Sequence, residues 1–149
     1  MKKYLFLVVL GLSLMASGCN YTGIPVEYAN VCDKKNDKQY VEVVGYFKNS
    51  GSAMCSKSGN EPMRCPIQLV DKPDQAKPVS AYIDLGSGAS SISKDEAKGL
   101  IIRDDKNEVI ENSQKVKVTA SLMVYDTPSK PTDNYAPCSL TVKKIEKAQ

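Results

Sequence analysis

The sequence predicts a small, mainly β domain. Residues 40–47 and 115–125 alternate apolar and polar side chains, which is the period of strands that bury one face. Stretches rich in Gly, Ser and Pro separate the apolar runs, as turns between short strands do. The chain has 149 residues and shows no internal repeat, which fits one domain.

Five strands are expected on this pattern: residues 39–48, 65–70, 79–85, 115–125 and 139–145. In the first strand, Gly45 stands in phase with the apolar side chains of Val43 and Phe47. A glycine inside a strand marks a bulge or a sharp bend, which a small barrel requires. In the last strand the alternation slips at Lys143 and Lys144, which predicts a bulge or the end of the strand.

A short helix is expected between the third and fourth long strands. Ser93 and Glu96 have the spacing of a capping box, in which each side chain accepts a hydrogen bond from the other residue's backbone N–H. Gly99 offers a place for this helix to end. Residues 101–110 then predict a small hairpin, because two apolar pairs flank a polar turn.

The order of strands and helix resembles the OB-fold, a five-stranded Greek-key barrel. The resemblance lies in the first strand with its internal glycine, in the run 115–120 and in the terminal strand from Cys138. It covers about residues 39–147 and is similar to the tRNA-binding-barrel-like domains of small exported bacterial proteins. A β-sandwich with the same number of strands is the alternative.

The N-terminus has the pattern of a bacterial export signal. Lys2 and Lys3 precede an apolar run that is too short to span a membrane, since spanning takes about 20 residues. The small residues before Cys19 resemble the lipobox of bacterial lipoproteins, which implies that Cys19 becomes the acylated first residue. Ordinary signal-peptidase cleavage after Gly18 is the alternative.

This reading divides the chain into three parts. Residues 1–18 form the signal peptide, residues 19–38 the lipidated cysteine with a tether, and residues 39–149 the barrel. Asn20 is not the aspartate that typically retains lipoproteins in the inner membrane, so the resemblance favours the outer membrane, facing the periplasm.

The remaining cysteines are even in number, which suits disulfides in an oxidising compartment. Four cysteines allow three pairings. Cys55 and Cys65 are ten residues apart in a Gly- and Ser-rich stretch, so we expect a local bridge there. Cys32 would then pair with Cys138. The chain has no His and no Cys-x-x-Cys motif, so neither a metal site nor a cofactor is expected.

Charge argues against nucleic acid as a partner. Without Lys2 and Lys3 the chain has 18 basic and 17 acidic residues, a net charge of +1. Nucleic-acid-binding domains are basic and cluster their Lys and Arg residues. Nucleic acid is therefore not expected, and an oligosaccharide or a protein is the more suitable partner in the periplasm.

Asp84 is the candidate for catalysis. The run from Asp84 to Ser90 resembles the Asp-Thr/Ser-Gly motif of aspartic proteases, but Leu85 stands where the hydroxyl residue belongs and no second copy occurs. A strand end followed by a flexible turn explains the same residues. A hydrolase that uses Asp84 stays a distant alternative, and no catalytic residue is predicted.

Tyr46 and Tyr82 are the candidate ligand-binding residues. Both fall on the outward face of their strands, and OB barrels bind ligands on the outer face of their second and third strands. Ordinary packing on a half-buried surface is the competing explanation. The sequence thus predicts a non-enzymatic, lipid-anchored binding or interaction protein of the cell envelope. The alternative is a structural or assembly accessory subunit of an envelope complex.

Overall fold

The part of the chain that the computed structural model describes contains eight β-strands and two short 3-10 turns. That part comprises residues 20–48, 54–74, 77–127, 134 and 136–149. The strands are β1 (Ile24–Pro25), β2 (Tyr40–Lys48), β3 (Arg64–Val70), β4 (Val79–Asp84), β5 (Ile92–Asp95), β6 (Gly99–Ile102), β7 (Lys115–Val124) and β8 (Cys138–Lys147). The 3-10 turns span Tyr28–Asn30 and Lys34–Asn36. Within these residues no helix is long and apolar enough to cross a membrane.

Five of the strands close into a barrel in the order β2, β3, β4, β8, β7. β2 pairs antiparallel with β7 from Tyr40 to Tyr46, and this pairing closes the sheet. β4 and β8 run parallel, while the other neighbours in the barrel are antiparallel. This is the strand order of a five-stranded Greek-key barrel, so the predicted OB-like fold is confirmed.

The barrel interior is filled by the inward residues of each strand. Alternate residues of β3, β4 and β7 are buried, as the period of two in the sequence predicts. The largest fully buried side chains include Leu69, Ile83, Ile92, Leu122, Leu140 and Ile145. Each contributes about 1.5–3 kcal/mol by burial.

Gly45 lies where β2 passes from one neighbour to the other. β2 pairs with β7 up to Tyr46 and with β3 from Tyr46 onward. A Cβ atom on Gly45 would lie 2.6 Å from the backbone oxygen of Val70 and 3.2 Å from a side-chain carbon of Leu69. The glycine therefore allows the close backbone approach at which the strand changes partner, as the sequence predicts.

A second irregularity lies in β8. Thr119 of β7 pairs with Lys144, whereas the next residue, Ala120, pairs with Val142, so Lys143 is the extra residue of a bulge. The break in alternation at Lys143 and Lys144 is thus a bulge within a strand and not the end of it.

The helix predicted at Ser93 is wrong. Residues 92–95 form strand β5, which pairs antiparallel with β6 as a separate two-stranded sheet. The Asp95 carboxylate accepts hydrogen bonds from the backbone N–H groups of Ala97 and Lys98, and Gly99 adopts a φ of +78°. The Asp95 side chain therefore stabilises a tight turn instead of a helix end, and Ile92 at the start of β5 is buried in the core.

The hairpin predicted in residues 101–110 is present. Arg103 and Val109 form an antiparallel bridge, and the N–H of Ile110 donates to the oxygen of Ile102 at 2.8 Å. The turn between them is organised by Asp104, a buried carboxylate that accepts hydrogen bonds from the backbone of Lys106 and Glu108.

The segment expected to be a tether belongs to the folded domain from Ile24 onward. β1 pairs in parallel with Val41 and Glu42 of β2. Val31, between the two 3-10 turns, is 2% exposed and lies in the core. We call residues 20–38 the N-terminal arm. Its apolar residues show no regular period, so the sequence pattern gives no signal that they are buried.

Two disulfides link the chain in the pairing expected from the sequence. Cys32 of the arm is bonded to Cys138 at the start of β8, with 5.3 Å between the Cα atoms. Cys55 is bonded to Cys65 in β3, with a Cα separation of 4.0 Å. The first bridge spans 106 residues, and in the chain-entropy treatment closing a loop of that size contributes about 4–5 kcal/mol.

Replacing Gly45 with Ala should destabilise the barrel. The new methyl group would overlap the Val70 backbone oxygen, and overpacking of this kind costs about 1–3 kcal/mol. The free energy of unfolding, measured by urea denaturation with the disulfides intact, reports the loss. Gly88→Ala is the matched control, because nothing lies within 4 Å of a Cβ at that position. Equal stability of the two variants would contradict the role given to Gly45.

Candidate functional site

The outer face of β2, β3 and β4 contains both tyrosines predicted to bind a ligand. Tyr46 is half-buried and lies between Val70 of β3 and Lys115 of β7. Tyr82 is half-buried and lies between Pro66 of β3 and Thr141 of β8. Both side chains are on the predicted outward face, but the structure does not bring them together.

The separation of the two tyrosines follows from the register. Their partners on β3, Pro66 and Val70, are four residues apart, and a strand rises about 3.3 Å per residue. The tyrosines are therefore offset by about 13 Å along the strand, with β3 between them. They are two separate contact points on one face and do not form a single aromatic cleft.

An ion-pair cluster lies at the end of this face nearest the connection between β2 and β3. The Arg64 Nε atom is 2.8 Å from Asp84, and an Nη atom is 2.8 Å from Glu61. Hydrogen bonding to Asp84 raises the pKa of Arg64 above its ordinary value. Asp84, the candidate catalytic acid, is thus an ion-pair partner that holds the ends of β3 and β4 together.

The two carboxylates of this cluster do not resemble a catalytic dyad. A dyad of the aspartic-protease type needs two carboxylates that share one proton. Asp84 and Glu61 instead bind different nitrogen atoms of one guanidinium group. Elsewhere in the described part of the chain, no group of three or more His, Cys, Asp or Glu side chains is placed to hold a metal ion.

One groove lies where the N-terminal arm crosses β2. Its volume is about 460 Å³. Residues from the arm, β2, β7 and the end of β3 line it: Pro25, Val26, Glu27, Tyr28, Glu42, Val44, Asp71, Lys115 and Lys117. Lys117 is 2.9 Å from Glu146, and this hydrogen bond raises the pKa of Lys117. The groove is therefore lined by apolar side chains and by charged side chains of both signs.

A second groove, of about 350 Å³, lies beside the Cys32–Cys138 disulfide. It runs between the arm and the residues that precede β8, with Val31 and Val79 among its apolar lining residues. Tyr28 lines both grooves and separates them.

Tyr28 joins the N-terminal arm to the barrel. Its hydroxyl donates to the backbone oxygen of Leu69 at 2.8 Å and accepts from the backbone N–H of Val79 at 3.2 Å. Burial raises the pKa of Tyr28 to about 12, although the hydrogen bond from Val79 acts in the opposite direction. The neutral phenol is therefore the form that stabilises the fold.

An exposed aromatic pair lies at the start of β2. The rings of Tyr21 and Tyr40 are stacked, with centroids 6.1 Å apart and planes at 30°. Sequence reasoning missed this pair and Tyr28, because residues 19–38 were expected to be a tether. The available signal was Tyr40 itself, which has the same alternation as the outward Tyr46.

Some predicted residues lie outside the described part of the chain. Cys19 and residues 1–18, which are predicted to be a signal peptide, are among them. The two connections that could contribute to recognition are described only in part, since residues 49–53, 128–133 and 135 are also outside.

No family model and no curated protein sequence matches the chain. Among solved structures, the chain is similar to a putative aspartyl-tRNA synthetase from Leishmania major Friedlin, with a TM-score of 0.45 and 16% identity. The match covers 89% of this chain but only 22% of that protein.

Replacing Tyr28 with Phe should lower the free energy of unfolding at pH 7. The change leaves the buried N–H of Val79 without its acceptor, which costs about 1–3 kcal/mol. Urea denaturation measures the loss. The exposed Tyr125→Phe is the control and should change stability by less than about 0.5 kcal/mol.

The same variant should also change the alkaline limb of the stability profile. Because the folded state raises the pKa of Tyr28, its contribution is complete below the unfolded value of about 10 and is lost as pH rises toward 12. The phenylalanine variant lacks this contribution, so its stability should fall less than that of the wild type over this range. Parallel profiles for the two proteins would contradict the assignment.

Proposed function

We propose that this chain is a non-enzymatic, lipid-anchored binding protein of the bacterial cell envelope, located at the outer membrane and facing the periplasm. The observation that carries the proposal is an OB-like barrel with tyrosines on the outer face of β2 and β4, in a chain that begins with a signal resembling a lipobox. OB barrels bind oligonucleotides and oligosaccharides on this face.

The chemistry of the face favours a neutral or mixed-charge partner. Tyr46 and Tyr82 offer half-exposed rings, which stack on sugars or pack in protein interfaces. Arg64, at one end of this face, is already bound to two carboxylates. An oligosaccharide or a protein segment fits this surface better than a polyphosphate, which requires free positive charge.

Catalysis is not part of the proposal. The chain has no His, and Asp84 is bound to Arg64. A general acid or base must reach the proton that it transfers, whereas this carboxylate is held by a neighbouring strand. A hydrolase activity of the wild-type protein that is lost in Asp84→Asn would overturn the proposal that the protein is not an enzyme.

The alternative is an accessory subunit of an envelope complex that docks through a strand edge. The β5–β6 hairpin favours it, because among the described residues these strands belong to a separate two-stranded sheet outside the barrel. Ile92 already bridges Leu85 and Ile102 accepts a hydrogen bond from Ile110, so a partner's strand would add along the rest of an edge.

The lipid anchor is tested by acylation. The full chain expressed in bacteria should incorporate labelled palmitate and remain with the membranes after an alkaline wash, and Cys19→Ser should do neither. Ser17→Ala, which keeps a small residue before the cysteine, is the control and should retain the label. A labelled Cys19→Ser protein would show that the lipid is attached elsewhere, and an unlabelled wild-type protein would show that the anchor is absent.

The binding face is tested with Tyr82→Ala. If the ring stacks on a sugar, retention on a glycan array should fall about two- to tenfold, since such contacts contribute about 0.5–1.5 kcal/mol. Tyr125→Ala, which removes an exposed ring beyond the end of β7, should retain wild-type binding.

Crosslinking in intact cells separates the two proposals. A stoichiometric protein adduct that survives Tyr82→Ala, together with no retention on glycans, would support the accessory role and contradict the ligand-binding face.

A further inference from the structure

The folded domain begins close to the proposed point of lipid attachment. Cys19 is two residues before Tyr21 and five residues before Ile24, where β1 pairs with Val41 of the barrel. A chain spans at most about 3.3–3.6 Å per residue, so Tyr21 lies within about 7 Å of Cys19 and β1 within about 18 Å. A lipid on Cys19 would therefore hold this side of the barrel at the membrane surface.

This side of the barrel presents an apolar patch that consists of Tyr21, Tyr40 and Met123. Their exposed fractions are 38%, 44% and 59%. Tyr21 stacks on Tyr40. Tyr40 pairs across the sheet with Ser121, so Met123 is its diagonal neighbour on the outer face, a relation in which Cα atoms are about 7–8 Å apart.

We propose that the barrel docks on the lipid surface through this patch, an inference that rests on the proposed anchor at Cys19. Tyrosine suits the membrane interface, because its ring is apolar and its hydroxyl reaches water and headgroups. Met123 adds a flexible apolar side chain. Tyr21 is two residues from the proposed lipid at Cys19 and therefore stays near the interface. Docking through the patch keeps Tyr21 and its stacking partner Tyr40 at that interface.

The charges beside the patch indicate that docking depends on apolar contact. Lys34 is 2.6 Å from Asp126 and 3.7 Å from Asp37, and Asp37 in turn accepts a hydrogen bond from the backbone N–H of Val124, next to Met123. Lys35 is 3.5 Å from Asp33. With Lys34 and Lys35 paired, the cation beside the patch that can attract anionic headgroups is Lys38, whose backbone N–H donates to the oxygen of Leu122. One exposed lysine attracts such headgroups only weakly, so docking should depend little on salt.

The docked orientation places Tyr82 of the proposed binding face away from the membrane, whereas Tyr46 is on β2 itself, six residues along the strand from Tyr40. Tyr40 and Met123 lie on β2 and β7, which are neighbours in the barrel. β4 is separated from β2 by β3 and from β7 by β8, so it is the strand opposite the patch. Tyr82 on β4 therefore points toward the periplasm when the patch is on the lipid.

Tryptophan fluorescence tests the orientation, because the chain contains no Trp. The full chain with Tyr40→Trp is reconstituted in phosphatidylethanolamine–phosphatidylglycerol vesicles whose acyl chains are brominated near the headgroups. Interfacial residues lie about 5–10 Å into the boundary, so emission should fall by at least about half relative to unbrominated vesicles. The quenching should be nearly the same at low and high salt. Met123→Trp serves as a second probe in case Tyr40→Trp fails to fold.

Tyr82→Trp is the matched control, and its emission should be unaffected by bromine. Vesicle flotation separates the two proposals. Protein that floats without quenching at positions 40 and 123 keeps the lipid anchor and overturns the docking. Quenching at position 82 with none at position 40 would overturn it as well. Protein that does not float contradicts the anchor, and the docking inference falls with it.

Discussion

The close backbone approach of β3 to Gly45 of β2 is the constraint on which the barrel depends. One strand must pair with β7 along its first part and with β3 along its end, and the backbone oxygen of Val70 approaches so closely that no Cβ fits. Without this change of partner the sheet would stay open, because β2 is the strand that joins its two ends. The bulge at Lys143 is a second local irregularity of the barrel. It lies where β7 pairs with β8, and bulges of this kind increase the local twist.

The change of partner along β2 also explains the position of the N-terminal arm. On the edge of β2 away from β7, pairing with β3 begins only at Tyr46, which leaves the residues before it open. β1 pairs with Val41 and Glu42 on that edge, and Tyr28 and the Cys32–Cys138 disulfide attach the rest of the arm. Because the arm is held in this way, only a few residues connect Cys19 to the folded domain, instead of a flexible tether. Such a short link restricts which side of the barrel can meet the membrane in the proposed orientation.

Much of the barrel could be predicted because strands with one buried face have a strict period of two. The alternation in residues 115–125, the glycine at position 45 and the slip at Lys143 all report local backbone geometry, and each matches the structure. The helix at Ser93 was wrong because residues 92–95 pair with β6, a contact between two segments that the local spacing of Ser93 and Glu96 does not report. The arm was missed because its residues are buried by long-range contacts, such as those of Tyr28 with Leu69 and Val79, which leave no periodic trace.

The features of the candidate site likewise fall into those that the sequence predicts and those that depend on long-range contacts. The sequence by itself determined the strand pattern, the outward placement of Tyr46 and Tyr82 and the even set of four cysteines after Cys19, because each depends only on neighbouring residues or on counting. The tertiary structure decided that the two tyrosines are offset by four residues of β3, that Asp84 binds Arg64, and that Tyr21 stacks on Tyr40. These features depend on strand register and on contacts between residues distant in the chain. The period of two shows which face a side chain is on, but a shift of the register by two residues leaves that pattern unchanged.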